Sequence, residues 1–127
     1  MIYLGIDFGL KKLGFAISEG EIARPLDVIH VSNETDTLIK INEVIKKEGA
    51  QKIIMGIPES GIRKKILKVA KKLKDLYKLD IELFEETLST IKAREKMIFL
   101  GIGRKKREDE DAYSAAWILQ DYLDFKK

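Results

Sequence analysis

The sequence predicts an α/β fold: a mixed five-stranded sheet carrying helices on both faces. Three observations predict it. A short apolar run opens the chain and stops at an acid. A hairpin signal follows directly. Two further short apolar runs then alternate with long amphipathic stretches. The implied order is β-β-β-α-β-α-β-α-α, a meander followed by βα units, so the later strands should lie parallel to the first.

Ile2-Tyr3-Leu4-Gly5-Ile6 is almost unbroken in apolar character, as expected of a strand over residues 1–7 buried on both faces. Residues 13–18 and 22–31 read as two more strands around a Glu19-Gly20 turn, and Pro25 marks the second as an edge strand. The Leu38, Ile41, Ile45 spacing predicts a helix over 37–48, stopped by Gly49. Residues 52–57 form a buried strand closed by Pro58. Ile62, Ile66, Val69, Leu73 and Leu76 predict a helix over 61–78. Residues 80–84 form the fifth strand. Ser89 is placed to cap a helix over 90–100 that ends at Gly101, and the last helix is expected over 109–125. Trp117, Leu119, Tyr122 and Leu123 of that helix are expected as core or helix-docking residues rather than base-stacking platforms, and His30 at the surface.

With 127 residues, 45% apolar, the chain is the size of one domain, expected to span 1–127. The absence of Cys excludes disulfides, thiol nucleophiles and Cys-ligated zinc, and a single His excludes a His-rich metal centre. No apolar run approaches a membrane span and no signal-peptide pattern opens the chain, so a cytoplasmic location is expected. Net charge is only +3, but residues 62–78 carry eight cations, Arg63 and Lys64 among them, against one acid, Asp75. That local +7 is either a solvated face or a phosphate-binding one.

Three groups of acids could carry chemistry. Asp7 directly follows a buried strand, where a carboxylate must be paired, hydrogen-bonded or metal-bound; an Asx-turn onto the Gly9 loop is the alternative. Glu85-Glu86 end the fifth strand, where they are either a polar turn or a cation site. Glu108-Asp109-Glu110-Asp111 open the last helix, where acids also favour the macrodipole. Glu108 and Asp111, three apart, share a helical face. Arg104-Lys105-Lys106-Arg107 just before them could hold phosphates or neutralise the acids. An oxygen-only ligand set points to Mg²⁺ or Mn²⁺, and two such ions about 3.5–4 Å apart suit phosphodiester hydrolysis.

Five segments together resemble the YqgF/RuvX family of RNase H-like proteins. LGIDFGLKKLGFA (4–16) is similar to its GIDFGTKRIGVA, EETLST (85–90) to DERLST, and DAYSAAWILQDYL (111–123) to its C-terminal DAxAAxxILQxYL. IIMGIP (53–58) and Arg24-Pro25-Leu26 match in the same order. The resemblance implies an RNase H-like sheet of order 3-2-1-4-5 and a nuclease acting on the 5′ end of pre-16S rRNA. An older reading of the family is a Holliday junction resolvase. A non-catalytic RNA-binding factor in ribosome maturation is a further alternative. The family's acids carry over to Asp7, Glu86 and Asp111 as catalytic metal ligands of a two-metal Mg²⁺ or Mn²⁺ site. Glu108 is a further ligand candidate, and Glu85 and Glu59 are rivals of Glu86. Lys11, Lys12, Arg63, Lys64, Arg104, Lys105 and Lys106 are the candidate nucleic-acid contacts. The partner is a nucleic acid, pre-rRNA or branched DNA, with no membrane, and the chain is a monomer or a homodimer. This sequence departs from the family at Leu10, at Thr87 and in the short Glu59-Ser60-Gly61 segment. An ATP-binding actin-like or sugar-kinase reading of the Asp7-Phe8-Gly9 loop would need two domains, and 127 residues supply one.

Overall fold

The computed structural model describes residues 1–9, 11–58, 61–85 and 110–126. The strands are β1 (Tyr3–Phe8), β2 (Lys12–Ser18), β3 (Ala23–His30), β4 (Lys52–Ile57) and β5 (Ile81–Glu85). The helices are α1 (Glu34–Glu48), α2 (Arg63–Tyr77) and α3 (Glu110–Lys126). The sheet order is β3-β2-β1-β4-β5, with β2 antiparallel to both neighbours and β1, β4 and β5 parallel. The expected helix over 90–100 lies outside the described residues.

Alternation along β1 divides the core. Leu4, Ile6 and Phe8 face α1 and α2, where they join Phe15, Met55, Ile41, Ile66 and Leu73. Tyr3 and Gly5 face α3, together with Ala16, Ile54, Ala115, Leu119 and Tyr122. Asp7 follows that second set by period two, so it belongs to the α3 face.

Pro25 stands in β3, an edge strand, next to a register shift opposite Phe15 and Ala16, where a missing N–H breaks no ladder bond. α1 starts three residues earlier than the apolar stripe suggested. Asn33 caps it by accepting from the Asp36 N–H at 2.8 Å, while Asp36 Oδ2 accepts from the Ser32 N–H at 2.8 Å. This reciprocal pair satisfies orphan donors that the stripe does not report. Gly49 ends α1 in the left-handed conformation, as expected.

Two residues of the expected apolar faces are at the surface. Leu76 is 63% exposed, because the buried stripe Ile66, Val69, Ala70, Leu73 continues onto Tyr77 instead. Trp117 is 42% exposed. It lies on the flank of α3 beside Ala23 and Pro25, away from the side that carries Ala115, Leu119 and Tyr122. No helix among the described residues is long and apolar enough to cross a membrane.

Candidate active site

The site begins with a glycine. Asp7, near the carboxyl end of β1, sits directly opposite Gly14 of β2, and Cα atoms so paired lie about 4.5–5.5 Å apart. Asp111, in the first turn of α3, rests its backbone on that same glycine. A Cβ on Gly14 would fall 1.9 Å from the Asp111 carbonyl oxygen and 2.8 Å from Asp111 Cβ. Two acids 104 positions apart therefore meet on one face of the sheet at one rim, separated by a residue without a side chain. The contact needs Gly14, since any larger residue would lift the start of α3.

The same device repeats along α3. A Cβ on Gly5 would fall 3.0 Å from the Ala115 carbonyl oxygen, and one on Gly56 would fall 2.7 Å from Ile118 Cδ1. Glycines in the interiors of three neighbouring strands let an alanine-rich helix lie close to the sheet. Sequence reading missed this role. The signal was available as single glycines inside otherwise apolar runs.

Asp111 is three-quarters buried, and its Oδ2 is withdrawn from solvent yet accepts no hydrogen bond among the described residues. Lys12 Nζ stands 3.1 Å from that oxygen as an ion pair. The β1–β2 turn is closed by the Gly9 N–H donating to the Lys12 carbonyl at 3.0 Å, so this amide serves the turn rather than an Asx-turn onto Asp7. One turn along α3, the Ser114 hydroxyl is buried without a hydrogen-bond partner among the described residues.

The other expected residues divide. Lys11 and Lys12 are exposed at the rim beside Asp7, and Lys64 is exposed at the start of α2. Arg63 donates to the Pro58 carbonyl at 3.3 Å and pairs with Glu85 Oε1 at 3.0 Å. Glu85 shares the face of Ile81 and Leu83, toward α2, so the structure sets it apart from Asp7 and Asp111. Glu59, Glu86, Glu108, Arg104, Lys105 and Lys106 lie outside the described residues. Among the described residues no trio of His, Cys, Asp or Glu is gathered for a metal.

The residues present nevertheless suit a hard divalent cation. A carboxylate oxygen shielded from water, with the Lys12 ammonium as its ion-pair partner, lies next to a second carboxylate residue, and both acids offer only oxygen ligands.

A protein of Bacillus cytotoxicus named "Putative pre-16S rRNA nuclease" is 34% identical over 99% of this chain and 100% of its own length. One of Bacillus thuringiensis with the same name is similar to the same extent. Among solved structures, T. thermophilus RuvC in complex with a Holliday junction substrate superposes with TM-score 0.63 at 16% identity, covering 99% of this chain and 96% of that one. The fowlpox virus Holliday junction resolvase superposes with TM-score 0.66 at 11% identity over the whole of both chains. These two share the RNase H-like fold. The family model described as "RuvX: Holliday junction resolvase" matches residues 1–125, and with relatives of this similarity over their full length the chain belongs to the RuvX family.

Proposed function

We propose that this chain is a nuclease that hydrolyses phosphodiester bonds at a divalent-metal site held by Asp7 and Asp111. Its proposed substrate is the 5′ region of precursor 16S rRNA in the cytoplasm. The observation that carries the reading is the meeting of Asp7 and Asp111 across Gly14. Glu86 completes the proposed ligand set, with Glu108 as an additional donor. Mg²⁺ or Mn²⁺ bound there would supply Lewis acidity toward the phosphate and a water of lowered pKa.

The chain's own residues do the rest. Asp7 and Asp111 fix the carboxylate geometry from a strand and a helix locked together by packing. Lys12 balances Asp111, and with a cation held there its ammonium would be free for a phosphate oxygen. Lys11, Arg63 and Lys64, with Arg104, Lys105 and Lys106, hold the backbone on either side of the scissile bond. The names of relatives that match at 34% identity over their full length support the rRNA substrate. The resolvase structures, at 11–16% identity, support the fold alone.

The test is cleavage of a labelled precursor 16S 5′ fragment, and of a four-way DNA junction, in Mg²⁺ and Mn²⁺. Asp7→Asn and Asp111→Asn should each lower the rate by at least about 100-fold while leaving a cooperative thermal transition. Wild-type cleavage by either variant overturns the assignment. Cleavage of the junction but not the RNA moves the function to DNA resolution.

A further inference from the structure

We infer that the outer face of α2 is a rail for a double-helical arm of the substrate, running away from the cleavage rim. This deepens the nuclease reading and rests on it for the position of the scissile phosphate.

The first observation is charge segregation. Residues 63–78 carry a net +7, which leaves −4 for everything else in a chain of net +3. The second is pattern. Ile66, Val69, Ala70 and Leu73 are buried against the sheet, and Lys64, Lys68, Lys71, Lys74 and Lys78 are exposed in one stripe on the far side. At 1.5 Å per residue that stripe is about 21 Å long, close to the rise of six base pairs of duplex. The third is pairing. Lys68 and Lys72 turn to Glu34 of α1, whereas Lys64, Lys71, Lys74 and Lys78 pair with no acid among the described residues.

The helix ends tell the same story. α1 and α2 both stop on a left-handed residue. In α1 it is Gly49, with φ 67°; in α2 it is Lys78, with φ 56°. A side chain in that conformation costs about 1 kcal/mol or more, so a cation stands where the backbone favours glycine.

The stripe also says which nucleic acid it fits. Surfaces for single strands interleave cations with aromatic platforms on which bases stack. Here the exposed apolar residues between the lysines are Leu67 and Leu76, and the helix's Tyr77 is half-buried. Cations alone suit the phosphates of a duplex. The rail starts at the rim, because Arg63 at its head holds the Pro58 carbonyl at the end of β4, next to β1.

The test is the salt dependence of binding, measured in EDTA so that cleavage plays no part. The ligands are a hairpin RNA, a DNA duplex of equal length and an unstructured oligonucleotide. Lys71→Gln with Lys74→Gln is compared with Lys46→Gln plus Lys47→Gln on α1, which removes the same charge elsewhere. On at least one duplex ligand the α2 pair should lower the slope of log K against log salt by about 2, and weaken binding roughly eightfold per lysine at 0.1 M salt. The α1 pair should leave the slope unchanged, and the duplex that responds names the polymer. Wild-type slopes for the α2 pair on both duplexes overturn the rail. So does an equal fall on the unstructured strand, or an equal fall from the α1 pair. A protein that binds in this way yet never cleaves would refute the nuclease reading and leave the rail standing.

Discussion

Replacing Gly14 by Ala adds one methyl group at the point where β2 carries α3. That methyl would lie 1.9 Å from the Asp111 carbonyl oxygen and 2.2 Å from its carbonyl carbon. Both are backbone atoms, so no side-chain rotation relieves the clash. Restoring ordinary van der Waals separation requires the first turn of α3 to retreat by about 1.5 Å. Overpacking of this kind costs about 1–3 kcal/mol, a Tm loss of several degrees for a domain of this size. The effect on rate should be larger than stability alone implies. A displacement of about 1 Å at reacting groups is worth on the order of 10²-fold. Single-turnover cleavage in Mn²⁺, followed on protein whose circular dichroism is native, is the assay. Gly56→Ala is the comparison. Its methyl would meet the far end of the Ile118 side chain at 2.7 Å, which can rotate, so it should cost less stability and keep the rate within a few fold. Wild-type turnover by Gly14→Ala, or equal loss in both variants, would show that the bare Cα of Gly14 does not set the position of Asp111.

Two further outcomes follow from named contacts. Lys12→Gln removes the cation that stands 3.1 Å from Asp111 Oδ2. A pair whose ammonium stands in solvent contributes about 0.2–1 kcal/mol, so Mn²⁺ should bind about 1.5- to 5-fold tighter by calorimetry; unchanged or weaker binding contradicts the competition. At the start of α1 the Ser32 N–H, and then Lys40, hold the Asp36 carboxyl below its ordinary value of 3.8. Its stabilising effect is therefore present above about pH 4 and lost as pH falls through the lowered value. Asp36→Asn should be less stable than the native protein at pH 7, with the gap in Tm closing as pH falls below the ordinary carboxyl value of 3.8. Parallel curves across that range would show that the cap has no such linkage.

Much of the sheet was legible because its signals are local. Ile2–Ile6, Ile53–Ile57 and the Glu19-Gly20 turn each report their own element, and Pro25 reports an edge. What local pattern could not report is which flank of an element meets the rest of the molecule. Leu76 and Trp117 fit an apolar period and still face solvent, because Tyr77 and Ala116 occupy the turns that meet the core. The start of α1 depended on polar caps at Asn33 and Asp36 rather than on the stripe beginning at Leu38. At the site, Asp7 and Asp111 could be named from residue type and family resemblance. The resemblance also implied that they meet; how they meet was not legible, since it depends on the pairing of β1 with β2 and on the empty Cβ position at Gly14.

The central claim is that Asp7 and Asp111 hold one divalent cation between them. A crystal soaked in Mn²⁺ and measured at the manganese absorption edge tests it directly. An anomalous peak is expected about 2.0–2.3 Å from a carboxylate oxygen of each residue, with Lys12 Nζ swung away from Asp111. A structure saturated with Mn²⁺ in which the peak lies elsewhere, and Lys12 still pairs with Asp111, would contradict it.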